Sequence, residues 1–202
     1  MQPDRDWREL LADWFGETRE DPTRIKDRMA WWFQADAERD SLLESRYGTY
    51  CEAAASGDLN DWQDEPRPRL AMMLALDQLP RNLYRGDARA FLNDDRAAML
   101  CLAGVASGMD RELLPIERVF FYMPLQHAED LAAQEVSAGL FQALADEQSA
   151  NSVFEGCADF ARLHRDIVAQ FGRFPHRNEI LGRTSTDAEK AYLESGAERF
   201  GQ

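Results

Sequence analysis

Three short stretches of this chain bring together side chains that could do chemistry. The first runs Leu76-Asp77-Gln78-Leu79-Pro80-Arg81-Asn82-Leu83-Tyr84-Arg85. Leu70, Met73, Leu74 and Asp77 fall at i, i+3, i+4 and i+7, which sets Asp77 on the apolar stripe of a helix. A carboxylate there is costly unless it meets a cation or hydrogen-bond donors, and the planar fork of arginine is the favoured partner. Arg81, Arg85 or a distant arginine could serve. The second stretch runs from Glu117 to Asp130 and carries His127. Pro124 is expected to end one helix and His127 to open the next. The positive potential of a helix N-terminus favours a neutral imidazole, which can be a base, a donor or a metal ligand. Glu129 and Asp130 suit a first helical turn for plain dipole reasons.

The third stretch, Phe171 to Ser185, departs most from ordinary helix patterning. It carries Arg173, His176, Arg177 and Arg183 against one acid, Glu179, in a chain whose formal charge is −14. Gly172 and Gly182 allow tight turns there, and Pro175 fixes the turn before His176. His164 lies on the apolar face of a helix, where a lone histidine is most often a satisfied core residue.

Converging connections of this kind would form a concave cationic pocket. Its ligand-binding residues would be Asp77, Arg81, Asn82, Arg85, Arg173, Arg177, Asn178 and Arg183. His127 and His176 would act as general acid or base, on a small anion such as a carboxylate or phosphate ester. The competing structural reading is that these arginines satisfy helix-end carbonyls and buried carboxylates. A rival of another class is a helical-stack interaction module that grips a peptide or protein, or a homo-oligomer, with Trp7, Trp14, Trp31 and Trp62 on its face. The two differ in geometry. A pocket requires Arg81, Arg173, Arg177 and His127 to approach one cavity, whereas a partner groove requires an open surface with exposed aromatics. No cofactor is expected, and a metal site built from His127, His164, His176 and Asp77 is a weaker variant. There is no His-Glu-x-x-His spacing, no Gly-rich phosphate loop and no Gly-x-Ser-x-Gly elbow.

The elements that must position these groups are helices. Expected helices run from about Asp4 to Phe15, from Asp21-Pro22 onward, and from Asp36 to Gly57, the last with Gly48 as a candidate division. Ile25, Met29, Trp32 and Phe33 form one stripe, and Trp31 lies off it. Residues 58–69, with two prolines, read as a connection. Leu70 to Leu79 is expected to close at Pro80, and Asp94 to Ser107 follows. Pro115 to Met123 is expected to stop at Pro124, with helices then at His127–Asp146, Ser149–Phe171 and Thr186–Gly196. Val136, Leu140, Phe141 and Leu144 share a face of one, and Val153, Cys157, Phe160, Ile167 and Phe171 a face of the next. No segment alternates with period two, so no sheet is expected. Short connections make neighbouring helices antiparallel, giving an all-α helical bundle or a short stack of helical hairpins over residues 1–202 as a single domain.

Composition narrows the function classes. Apolar residues at 45% and charged residues at 30% allow a real core and argue against disorder. The acidic balance argues against nucleic acid or an anionic membrane as partner. The absence of a long apolar run argues against a membrane span, and the N-terminus shows no leader. Three widely spaced cysteines, Cys51, Cys101 and Cys157, without a Cys-x-x-Cys pair, read as buried thiols of a cytoplasmic protein.

The segments "LDQLPRNLYRGDARAF", "ERVFFYMPLQHAEDLAAQ" and "FGRFPHRNEILGRTSTDAE", with "WFG" at Trp14 to Gly16, resemble the family known as domain of unknown function 924. The resemblance covers nearly the whole chain. It implies an all-α, tetratricopeptide-repeat-like stack of helices and brings no reaction or catalytic residue list with it. Leu79 stands where the family pattern usually has phenylalanine, and Ala128 stands where a serine often follows the histidine.

Overall fold

The computed structural model describes residues 5–196. Among these residues the regular structure is helical, with no strand: α1 (Trp7–Phe15), α2 (Ile25–Phe33), α3 (Ala37–Ser56), α4 (Pro66–Met73), α5 (Leu79–Leu83), α6 (Asp94–Ala106), α7 (Pro115–His127), α8 (Leu131–Glu147), α9 (Ser152–Phe171) and α10 (Asp187–Glu194). The expected first residue of the first helix, Asp4, lies outside the described residues.

The starts are set by side-chain caps. Asp6, Asp36, Asp130 and Asn151 each accept a backbone N–H from the first turn that follows, and Thr186 with Glu189 forms a capping box for α10. Gly57 and Gly172 end α3 and α9 in the left-handed conformation, at φ 95° and 70°.

Helix α7 is the central element, packed against α6 and α8, and α8 in turn against α9. Its Phe120 gathers the N-terminal aromatics. The ring lies 5.6 Å from Trp14, 5.4 Å from Phe15 and 4.9 Å from Trp32, and stacks on Phe33 at 6.1 Å. Trp14, Trp32 and Trp62 are therefore core residues. Trp7 and Trp31 are half-buried against that core, and Trp31 lies under the guanidinium of Arg28 at 3.7 Å. A smaller cluster of Ile167, Val168 and Phe174, with Tyr192 against it, fastens the C-terminal segment to α9.

Several boundaries differ from those expected. Gly48 does not divide α3. Pro66 and Pro68 open α4 rather than populate a loop, because proline fits the first turn, where its missing N–H is not needed. Pro80 does not stop its helix. Residues Leu74–Gln78 widen to π-helical winding, and the chain continues as α5. Side chains take up the carbonyls of this irregular stretch: Arg81 Nη1 donates to Asp77 O at 2.8 Å, and Asn82 Nδ2 to Gln78 O at 3.0 Å. Pro124 likewise sits inside α7, so His127 is that helix's last residue and not the first of α8.

The apolar stripe expected on α9 is also displaced. Phe154, Ala158, Ala161, Ile167 and Val168 face the core, whereas Phe160 is 49% exposed. Val136 of α8 is exposed as well. No helix among the described residues is long and apolar enough to cross a membrane.

The α6–α7 contact leaves no room for a side chain at Gly104, where a Cβ would run into the fully buried ring of Phe121. Gly104→Ala is therefore expected to lower stability by about 1–3 kcal/mol through overpacking. Urea denaturation should show a lower midpoint at unchanged slope.

Candidate functional site

A cavity of about 550 Å³ opens between α2, α5, the C-terminal half of α7, α9 and the turn Pro175–Arg177. Its polar wall comes from Arg81, Asn82, Arg85, His127, His176 and Arg177, with Gln78, Gln126 and His164. Its apolar wall comes from Trp32, Phe33, Met123, Phe141, Val153 and Phe160, among others. Among the described residues, no aspartate or glutamate lines it, although the chain as a whole is strongly acidic.

The carboxylates stand one layer behind the wall. Asp94, in the first turn of α6, takes Arg81 bidentately at 2.9 and 2.8 Å and takes Arg177 Nη1 at 3.0 Å. Arg177 is further sandwiched between the rings of Phe91 and Phe174, at 4.6 and 4.5 Å. Asp77, 1% exposed, meets Arg81 at 3.0 Å and His127 Nδ1 at 2.7 Å, and accepts from Gln78 Nε2 at 2.6 Å. On the other side Asp40 holds Arg85 Nε at 3.0 Å and Arg39 Nη2 at 2.7 Å, and both arginines donate to Asn82 Oδ1. Arg39, Arg81, Arg85 and Arg177 thus face Asp40, Asp77 and Asp94. Nε of Arg177 is buried with no hydrogen-bond partner.

The Asp77–His127 contact fixes a tautomer. A carboxylate can only accept, so Nδ1 carries the proton and Nε2 keeps the lone pair. The C-terminal end of α7 would favour an imidazolium, which reverses the dipole argument made from the sequence. Burial nevertheless pushes His127 below its ordinary value, aided by Arg81 and against Asp77. Burial pushes the Asp77 carboxyl up, but Arg81 and His127 outweigh it and hold that carboxyl well below the usual range. Burial, with the nearby positive groups, carries His164 and His176 down to about 3. Burial brings Arg177 down to about 10, Arg81 adding to it against Asp94. The Cys157 thiol, on the cavity wall, is pushed up to about 11 by burial, so it stays protonated near neutrality.

The third stretch splits in two. His176 and Arg177 reach the cavity, but Arg173, Asn178 and Arg183 do not line it, so the expected convergence of Arg81, Arg173, Arg177 and His127 holds without Arg173. Arg173 bonds Glu189 at 2.7 Å and the Thr184 carbonyl at 2.9 Å. Arg183 bonds Glu129 Oε1 at 2.9 Å and Asn178 Oδ1 at 3.0 Å, while Asn178 also donates to Ser185 Oγ. Glu129 in turn accepts the Phe174 N–H at 2.7 Å. These residues brace the turn that carries His176 and Arg177; their own donors are spent on the brace. His164 reaches the wall, its Nδ1 2.8 Å from the Phe160 carbonyl.

Asp94, Asp40, Arg39 and Phe91 were not among the residues singled out in the sequence. Asp94-Asp95 reads as an ordinary acidic helix start, and nothing local marks one of the pair as the partner of two arginines.

The chain matches the family described as "Bacterial protein of unknown function (DUF924)" over residues 10–197. It belongs to this family. A solved structure of a protein of unknown function from Agrobacterium tumefaciens superposes with a TM-score of 0.80 at 36% identity, covering 94% of this chain and 97% of that one. Among curated proteins none matches. DUF924 membership and this neighbour carry the all-α fold and leave the chemistry to the site itself.

Two outcomes follow from the buried groups. Asp94→Asn should cost about 3 kcal/mol or more, because it leaves two buried guanidinium groups facing each other, whereas Asp95→Asn on the exposed side of the same turn should stay within about 0.5 kcal/mol. Urea denaturation of both variants tests this.

For pH, the folded state binds fewer protons than the unfolded chain between about 3, where His164 and His176 titrate when folded, and the ordinary histidine value of 6.5. Stability is therefore full above that upper value and is lost as pH falls through the window. Each histidine steepens the slope by up to about 1.4 kcal/mol per pH unit. Replacing either with Gln should flatten the stability-against-pH curve between pH 6 and 4.

Proposed function

We propose that the protein binds a small anionic metabolite in this cavity, with His127 as the acceptor or base that addresses it. The observation that carries the reading is the layering of charge: arginines and the Asp77-oriented His127 on the wall, their carboxylates behind it. The guanidinium groups of Arg81, Arg85 and Arg177 on the wall favour an incoming acceptor. The inward placement of most tryptophans favours this reading over a peptide-gripping face. A tetratricopeptide-like run of helical hairpins, supported by the neighbour-to-neighbour packing of α6 through α9, would be the scaffold.

Any hydrolytic step here runs through water. His127 Nε2 would take the water proton while the oxygen attacks the ester centre, and the bond to the leaving oxygen would break as the imidazolium returns that proton to it, since no serine, threonine, tyrosine or lysine among the described residues lines the cavity and the Cys157 thiol is protonated.

Thermal-shift screening against organic anions tests the proposal. A subset should raise the melting temperature, and Arg177→Gln should abolish the shift while circular dichroism shows the fold retained. A broad anionic set that leaves the melting temperature unmoved sinks the reading.

A further inference from the structure

The apolar wall of the cavity draws on a narrow set of side chains. Trp32, Phe33, Phe91, Phe141 and Phe160 give it indole and phenyl rings, and Met29 and Met123 add thioethers. Among the described residues no leucine or isoleucine lines it. The core around it is nevertheless rich in leucine: Leu10, Leu11, Leu70, Leu76 and Leu125 are wholly buried. A space left over from core packing would show the side chains of that core. Rings and thioethers offer quadrupoles and polarisable sulfur, which gain more from a flat π-system than from a saturated group of similar size.

Exposure is a second, independent sign. Phe33 and Phe160, 41% and 49% exposed, are the exposed aromatic residues among those described, and both lie on this wall. Single exposed apolar side chains are ordinary, whereas two rings left open on one cavity point to an occupant. Phe33 already stacks one face on Phe120, at an interplanar angle of 7°, so its open face is the other one. On α9, Gly156 stands one turn before Phe160 on the same side of the helix, and a Cβ there would meet nothing within 4 Å. The surface beside the Phe160 ring is therefore flat and empty, the shape of a seat for another ring.

A charged partner lies close to that seat. Arg177 lines the cavity and, among the described residues, gives only Nη1 to Asp94. It packs on Phe174 at 4.5 Å, and His164 packs on the same ring at 5.5 Å. Phe160 stands one helical turn, about 5.4 Å, before His164. A short linker thus joins a ring at Phe160 to a negative charge at Arg177. Aromatic walls also suit quaternary ammonium groups, but Arg81 and Arg177 on a wall with no acid among the described residues oppose a cation.

Resting on the anion reading above, we infer that the anion is an aromatic acid, its ring seated against Phe160 and Gly156 and its charged group, on a short linker, at Arg177.

Calorimetric titration of the full chain with 3-phenylpropanoate, 3-cyclohexylpropanoate and 3-phenylpropan-1-ol tests this. Cyclohexyl is the more hydrophobic group, so burial alone would favour the saturated acid. The aromatic acid should instead bind more tightly than the saturated one, by about threefold or more. It should bind about tenfold more tightly than the alcohol. Phe160→Leu keeps apolar bulk at a half-exposed position, so the melting temperature should stay within a few degrees while the preference for the aromatic acid falls by about half or more. Gly156→Leu fills the seat and should weaken both acids about tenfold, with helicity and melting temperature at or above those of the parent.

The saturated acid binding as tightly as the aromatic one overturns the inference and leaves the anion site standing. A preference that Phe160→Leu leaves unchanged overturns the seat assigned to the ring. The alcohol binding as tightly as 3-phenylpropanoate overturns the anion reading itself, and silence from every probe overturns both.

Discussion

One carboxylate, Asp94, holds the cavity together. Its two oxygens meet Arg81 from α5 and Arg177 from the C-terminal turn, a residue 83 positions further along the chain. Two guanidinium groups cannot share a buried wall without an anion between them; the desolvation cost of both would go unanswered. Asp77 then completes the layer by taking Arg81 and His127 together, which orients the imidazole. Placing Asp94 in the first turn of a helix adds the favourable end of the α6 dipole to the same charge.

The layer inverts the electrostatics of the molecule locally. The chain is acidic overall, yet its main cavity shows donors and imidazoles because the carboxylates stand behind the arginines they neutralise. Such an arrangement keeps the guanidinium groups rigid and leaves their outward surface polar. Burial keeps the histidines uncharged, so the wall does not accumulate positive charge near neutrality. The second connection between elements, Arg183 with Glu129 and Arg173 with Glu189, does the same bracing outside the cavity.

The all-α fold was legible because caps, helix-ending glycines and apolar spacing all speak locally. Asp77 on an apolar stripe announced a buried carboxylate, and the pattern named Arg81 among its partners. Proline misled: Pro80 and Pro124 read as stops, but a π-widened turn and a helix with three residues still to run absorb them, and only tertiary packing decides that. That error moved His127 from the start of one helix to the end of another. Arg173, Asn178 and Arg183 share a motif with His176 and Arg177, and no local rule separates those that face inward from those that brace. The reach of Asp94 across the chain and the exposure of Phe160 are properties of assembled helices, absent from any window of sequence.

The cavity is also a statement about the order of folding. Its walls come from α2 near one end of the chain and from the turn Pro175–Arg177 near the other, so none of its neighbouring helical hairpins contains it. Contacts of such sequence separation carry a large loop-closure entropy and form after the local helix pairs have consolidated. Docking of the C-terminal turn through Asp94 joins the two ends of the chain at the cavity. A variant that undocks this turn would therefore open the site while leaving the α7–α9 hairpins their own contacts.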